Sequence, residues 1–132
     1  MNHSIDFSFF SIMSKKTLVL GASLKPERYS HMAVRSLLHH GFPVVAIGRR
    51  SGWIGDSPVS KDLLYDDDIH TVTLYMNASN QSEFLQYILD LHPRRIIFNP
   101  GTENPALERA AREKNIETVH GCTLVMLSTG QY

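Results

Sequence analysis

The stretch from Thr17 to Gly41, TLVLGASLKPERYSHMAVRSLLHHG, leaves this chain few folds to choose from. Its apolar opening, Leu18-Val19-Leu20, is too short for a helix, has the composition of a buried strand, and breaks at Gly21-Ala22-Ser23. A polar loop with Lys25, Pro26 and Arg28 follows, then a helical pattern in which Ala33, Val34, Leu37 and Leu38 share one face. Ser30 is the expected N-cap and Gly41 the expected C′ stop. A strand, a small-residue turn and a helix N-terminus in succession gather unpaired N–H groups and the positive end of a helix dipole, which is the setting for a phosphate.

The same alternation continues along the chain. Pro43 to Ile47, Thr71 to Met76, Arg95 to Phe98 and Ile116 to Val119 read as further strands. Between them, Asn80 with Glu83 resembles a capping box for a helix burying Phe84, Leu85, Ile88, Leu89 and Leu91 and stopped by Pro93. Asn104-Pro105 opens a second such helix over Leu107, Ala110 and Ala111, and Asn115 can take its left-handed stop. Gly121 to Tyr132 reads as a short closing helix or turn. Residues 51 to 62 are rich in glycine, serine, aspartate and proline and predict an irregular loop, anchored by Trp53 and Ile54, with room for a short edge segment near Val59. Asp66-Asp67-Asp68 reads as a solvated turn, because adjacent carboxylates point different ways.

The expected fold is α/β: a single doubly wound, Rossmann-like domain with a five-stranded parallel sheet and helices on both faces. It spans residues 15 to 132, with residues 1 to 14 as an extension outside the fold. The 132 residues are enough for one core. Thirteen basic and thirteen acidic residues give no net charge, so no global field draws nucleic acid or an anionic membrane, and any anion must be held locally. No apolar run is long enough to span a bilayer, and the Phe7, Phe9, Phe10 and Ile12 patch lacks the flanks of a signal peptide. The one cysteine, Cys122, fits a reducing compartment, so the cytoplasm is the expected location.

In doubly wound sheets ligands bind outside the carboxyl ends of the strands. Here those ends are Gly21-Ala22-Ser23, Gly48-Arg49-Arg50, Tyr75-Met76-Asn77, Asn99-Pro100-Gly101 and His120-Gly121-Cys122. A dinucleotide fingerprint is absent: the first loop has one glycine, and the second strand ends in two arginines instead of an acid. Arginines at that place suit a phosphate near a ribose, as in NADP or in the 3′-phosphorylated ADP of coenzyme A.

The sequence G-A-S-x-K-P-x-R-Y-S at Gly21 to Ser30, with Asn99-Pro100-Gly101 and Gly121-Cys122 after later strands, resembles the small CoA-binding proteins. It is similar to the CoA-binding domain of the succinyl-CoA synthetase alpha subunit. The resemblance covers about residues 15 to 130, and where relatives usually carry an Asn-Pro-like pair this chain has Arg49-Arg50. It implies coenzyme A or an acyl-CoA as ligand. Gly21, Ala22 and Ser23 would line the phosphate side, and Lys25, Arg28 and Ser30 would supply charge and hydroxyl contacts. Tyr75, Met76 and Asn77 would lie beside the nucleotide, and Asn99, Pro100 and Gly101 would face the pantetheine arm.

Little in the chain suggests catalysis. The synthetase works through a phosphorylated histidine on a second domain, which this sequence lacks. The seven histidines follow no metal-binding spacing, and no G-x-S-x-G nucleophile elbow occurs. Cys122, beside His120 on the ligand side, could exchange with the CoA thiol or its disulfide. A non-catalytic CoA-binding module therefore stands beside two alternatives, a small NADP- or other nucleotide-dependent enzyme and an interaction domain without ligand. A homo-oligomer or a protein partner stays open.

Overall fold

The computed structural model describes residues 15–132; the expectation for the first fourteen lies outside them. The chain runs β1 (Thr17–Leu20), α1 (Tyr29–His39), β2 (Val44–Ile47), β3 (Gly52–Ile54), β4 (Ser57–Ser60) and β5 (Thr71–Leu74). It continues through α2 (Ala78–Gln81), a 3₁₀ turn (Ser82–Phe84), α3 (Leu85–Leu91), β6 (Arg95–Phe98), α4 (Pro105–Glu113), β7 (Glu117–His120) and α5 (Thr123–Ser128). The strands form one sheet in the order β3-β4-β2-β1-β5-β6-β7. Every pairing is parallel except β3 with β4.

The sheet therefore has seven strands, not the expected five. The two additions are a hairpin turning at Gly55-Asp56, within the segment expected to be irregular. Its composition argues against strands, but Pro58, which has no amide to donate, precedes Val59 and Ser60, the residues that pair with β2. Ile54 anchors the hairpin in the core, whereas Trp53 points outward and is 68% exposed, so only half of the expected anchor exists.

Alternate residues of each strand feed opposite faces, as the pleat requires. Leu18, Leu20, Val72, Leu74, Ile96 and Phe98 pack against Ile88, Leu91, Leu107 and Ala111 of α3 and α4. Val19, Ala46 and Ile97 pack against Val34 and Leu37 of α1 and Leu127 of α5. Helices on both faces are the doubly wound arrangement, and the near-continuous apolar strands follow from burial on two sides.

The helix ends are set by local chemistry. Asn104 Oδ1 accepts from the Leu107 amide at 3.2 Å with Pro105 in the first turn, as expected. Gly41 and Phe42 donate to Leu38 and Leu37, and Asn115 and Ile116 to Arg112 and Ala111, so both helices close with paired reverse bonds. The expected capping box at Asn80 lies one turn late. Asn77 is the cap, its Oδ1 accepting from the Asn80 amide at 3.0 Å.

At the amino-terminal ends of β1 and β6, Tyr132 is tucked under the fold. Its ring packs edge-on against Phe42 and beneath the Arg95 guanidinium at 4.4 Å, its hydroxyl meets that of Thr17, and Lys15 donates to its carbonyl at 3.1 Å. Among the described residues no helix is long and apolar enough to cross a membrane.

Candidate functional site

The chain leaves β1 for β2 on one side and later returns to β5 on the other, so the order reverses at β1. A cleft of about 830 Å³ opens at the carboxyl ends of these three strands. That volume lies in the range of small-molecule sites, and the position is where open α/β sheets bind ligands.

Backbone approach shapes the floor. Gly21 has φ +99°, and a Cβ there would meet the Tyr75 carbonyl group at 3.0 Å. Gly48 lies so near the Ala22 carbonyl that no side chain would fit between them. The first loop is closed by its own bonds. Gly21 and Ala22 both donate to Ile47 O at 2.9 Å, Ser23 N donates to Ser30 Oγ at 3.1 Å, and Lys25 N donates to Ser23 Oγ at 3.1 Å. Ser30 is therefore not the N-cap. Helix α1 starts at Tyr29, and the Ser30 hydroxyl instead ties the loop to the first turn.

This closure changes the source of any amide cradle. The amides of Gly21, Ala22 and Ser23 are engaged, whereas α1 begins with no side-chain cap and no acid in its first turn. The first N–H groups of an α-helix have no partner within it, so this end is an anion site in waiting. His31, a residue the sequence reading passed over, keeps the loop in place. Buried to 3% exposure, it donates from Nδ1 to Ser23 O at 2.9 Å and accepts at Nε2 from Arg35 at 3.0 Å. Only its place on the buried helix face hinted at that role.

The walls gather Gly21, Ala22, Ser23, Lys25, Arg28 and Ser30 from the first loop and helix with Gly48, Arg49 and Arg50 after β2. Tyr75, Met76 and Asn77 after β5 join them at this cleft. Leu24, Lys61, Asn80, Glu83 and Phe84 also line it, none of them expected at the site. Lys61 follows β4, where the sequence leaves room only for a short edge segment near Val59, and the apolar helical pattern assigns Phe84 to the core. The lining residues include five cations, Lys25, Arg28, Arg49, Arg50 and Lys61, and one carboxylate, Glu83, so a neutral chain presents a locally positive cleft.

Asn99, Pro100, Gly101 and Cys122 are not among the walls of this cleft. The Asn99 amide is engaged in the fold: Nδ2 donates to Thr73 Oγ1 at 2.7 Å and Leu74 O at 2.8 Å, and Oδ1 accepts from Thr123 N at 2.9 Å. Pro100 and Gly101 are exposed. Cys122 is half-buried at the start of α5, near the Tyr75 side chain. Burial pushes the Tyr75 phenol up, and its hydroxyl makes no hydrogen bond among the described residues; the neighbouring Thr73 and Thr123 hydroxyls bond each other at 2.8 Å.

A switch-point cleft on a doubly wound parallel sheet defines a Rossmann-like α/β domain. Within that class the chain belongs to the CoA-binding domain family, whose sequence model matches residues 15–128. No curated protein matches the chain. Among solved structures it is similar to an uncharacterized protein at 45% identity and TM-score 0.86, covering 89% of this chain and 98% of the other. A Thermus thermophilus protein at 23% identity and TM-score 0.76, covering all of both chains, shares the fold. So does a hypothetical protein from Pyrococcus horikoshii OT3 at 20% identity and TM-score 0.77, covering 98% of this chain and 92% of that one.

Proposed function

We propose that this protein binds coenzyme A or an acyl-CoA as a stand-alone, non-catalytic module. The observation that carries the reading is the uncapped N-terminus of α1, which opens on a cleft where Lys25 and Arg28 stand and leaves amides free for a pyrophosphate. Membership in the CoA-binding domain family supports coenzyme A as that ligand. Tyr75, Met76 and Phe84 offer apolar surface on the β5 side of the cleft, while Arg49, Arg50 and Lys61 lie towards β2 and β4.

A second reading, an NADP-dependent enzyme, rests on Arg49 and Arg50 at the end of β2. Thermal-shift measurements with CoA, acetyl-CoA, NADP and ATP separate the two. A ligand at about 100 times its Kd adds roughly 2.7 kcal/mol to stability, so CoA or acetyl-CoA should raise the melting temperature clearly. A shift with NADP alone favours the second reading, and no shift with any of the four sinks both.

A further inference from the structure

The β3–β4 hairpin brings β4 alongside β2 with Ser60 in register with Ile47, and the Gly48 amide donates to the Ser60 carbonyl at 2.9 Å. The chain thus leaves these two strands side by side, about 4.8 Å apart in the sheet. Arg49 and Arg50 follow on one and Lys61 on the other. All three are exposed and line the cleft, and none takes part in an ion pair among the described residues. The hairpin is also packed against the first loop: a Cβ on Gly52 would stand 2.8 Å from Leu24 Cδ1. Three cations on two adjoining strand ends are therefore held beside the loop that carries Lys25 and Arg28.

We infer that Arg49, Arg50 and Lys61 form a receptor for a phosphate monoester on the ribose of the bound nucleotide, apart from the Lys25 and Arg28 end of the cleft. The inference rests on the nucleotide reading above for the place of the pyrophosphate. The ribose is joined to that pyrophosphate through its 5′ carbon, so a phosphate on its 2′ or 3′ oxygen lies a few bonds away and meets the neighbouring strand ends. A monoester is close to doubly charged at neutral pH and offers three acceptor oxygens. Guanidinium forks grip such a group two oxygens at a time, and an ammonium adds a compact charge. The hairpin thereby becomes the element that selects phosphorylated over unphosphorylated ribose.

Calorimetric titration of the full chain with CoA, 3′-dephospho-CoA, NADP and NAD tests this. CoA should bind at least about 30-fold tighter than dephospho-CoA, as loss of charged hydrogen bonds implies. Lys61→Ala should cut that ratio about tenfold and leave dephospho-CoA within about twofold of its wild-type Kd. An Arg49→Ala/Arg50→Ala double variant should abolish most of the remaining preference, with unchanged melting temperatures showing that the variants fold. Equal binding of CoA and dephospho-CoA overturns the receptor and keeps the CoA reading. A preference for NADP over NAD that depends on these residues, without CoA binding, does the reverse. A preference that survives all three substitutions overturns the assignment, and no binding of any ligand removes both readings.

Discussion

The carbonyl oxygen of Ala22 fills the space that a Cβ on Gly48 would need. The two loops that floor the cleft are therefore in backbone contact, and their spacing is set by a missing side chain. Gly48→Ala must push them apart, because the obstructing atom belongs to the main chain and cannot rotate away. A loss of about 1–3 kcal/mol, typical of overpacking, is expected as a lower denaturant midpoint with an unchanged slope. CoA affinity should fall with it.

Lys25 and Arg28 are exposed and take part in no ion pair among the described residues. Their removal should barely change the melting temperature of the free protein. Lys25→Ala and Arg28→Ala should each weaken CoA binding by about tenfold at low salt, from lost charged hydrogen bonds. The gap should narrow as ionic strength rises, since surface charges are screened. Affinity that stays level in both variants removes these residues from the site.

Asn99 behaves as a pin between β5, β6 and α5. Asn99→Ala would strand the Thr123 amide and the Leu74 carbonyl in the interior, at a cost of about 2–3 kcal/mol. Because its amide is engaged away from the cleft, CoA affinity of the folded variant should stay within about twofold, a value set by the normal scatter of distant substitutions. A large affinity loss without a stability loss would place Asn99 against the ligand instead.

His70 gives stability a pH dependence with a definite sign. Burial, with the charges of Arg95, Lys15 and Arg94, holds its pKa down at about 4 against an ordinary 6.5. Between those values the unfolded chain binds a proton that the folded one refuses, so stability falls as pH drops from about 6.5 towards 4. The neutral ring accepts at Nδ1 from the Thr71 hydroxyl at 2.8 Å, and that hydroxyl in turn accepts from Arg95 Nε at 2.7 Å. His70→Asn, which keeps an acceptor there, should flatten the slope of stability in this window. Glu108, held low by its bond from His120, and Glu103, held low by the backbone amides of Glu103 and Gly101, contribute only below about 4.5 and leave the comparison clean.

The strands with continuous β-branched or aliphatic character were legible at once, because burial on both faces removes any reason for a polar residue. Arg95 to Phe98 matches its predicted bounds. Caps with a single reading, Asn104-Pro105 and Asn115, were equally plain. Asn77 and Asn80 were not, since both are good caps three residues apart, and the 3₁₀ turn at Ser82–Phe84 moves the apolar face out of step with the start of the helix. The hairpin escaped because its strands have three and four residues and owe their order to β2, not to local preference. Lys61 follows that hairpin and has no place at a strand end until β4 is recognised.

The junction of Lys15 with Tyr132 brings the two limits of the described fold within one hydrogen bond of each other. A few residues of linker would join them without stretching either, and new ends could be opened at the Gly55-Asp56 tip, far from the join in sequence. Such a rearranged chain would show whether the first crossover must be made before the hairpin, or whether the sheet assembles from either direction.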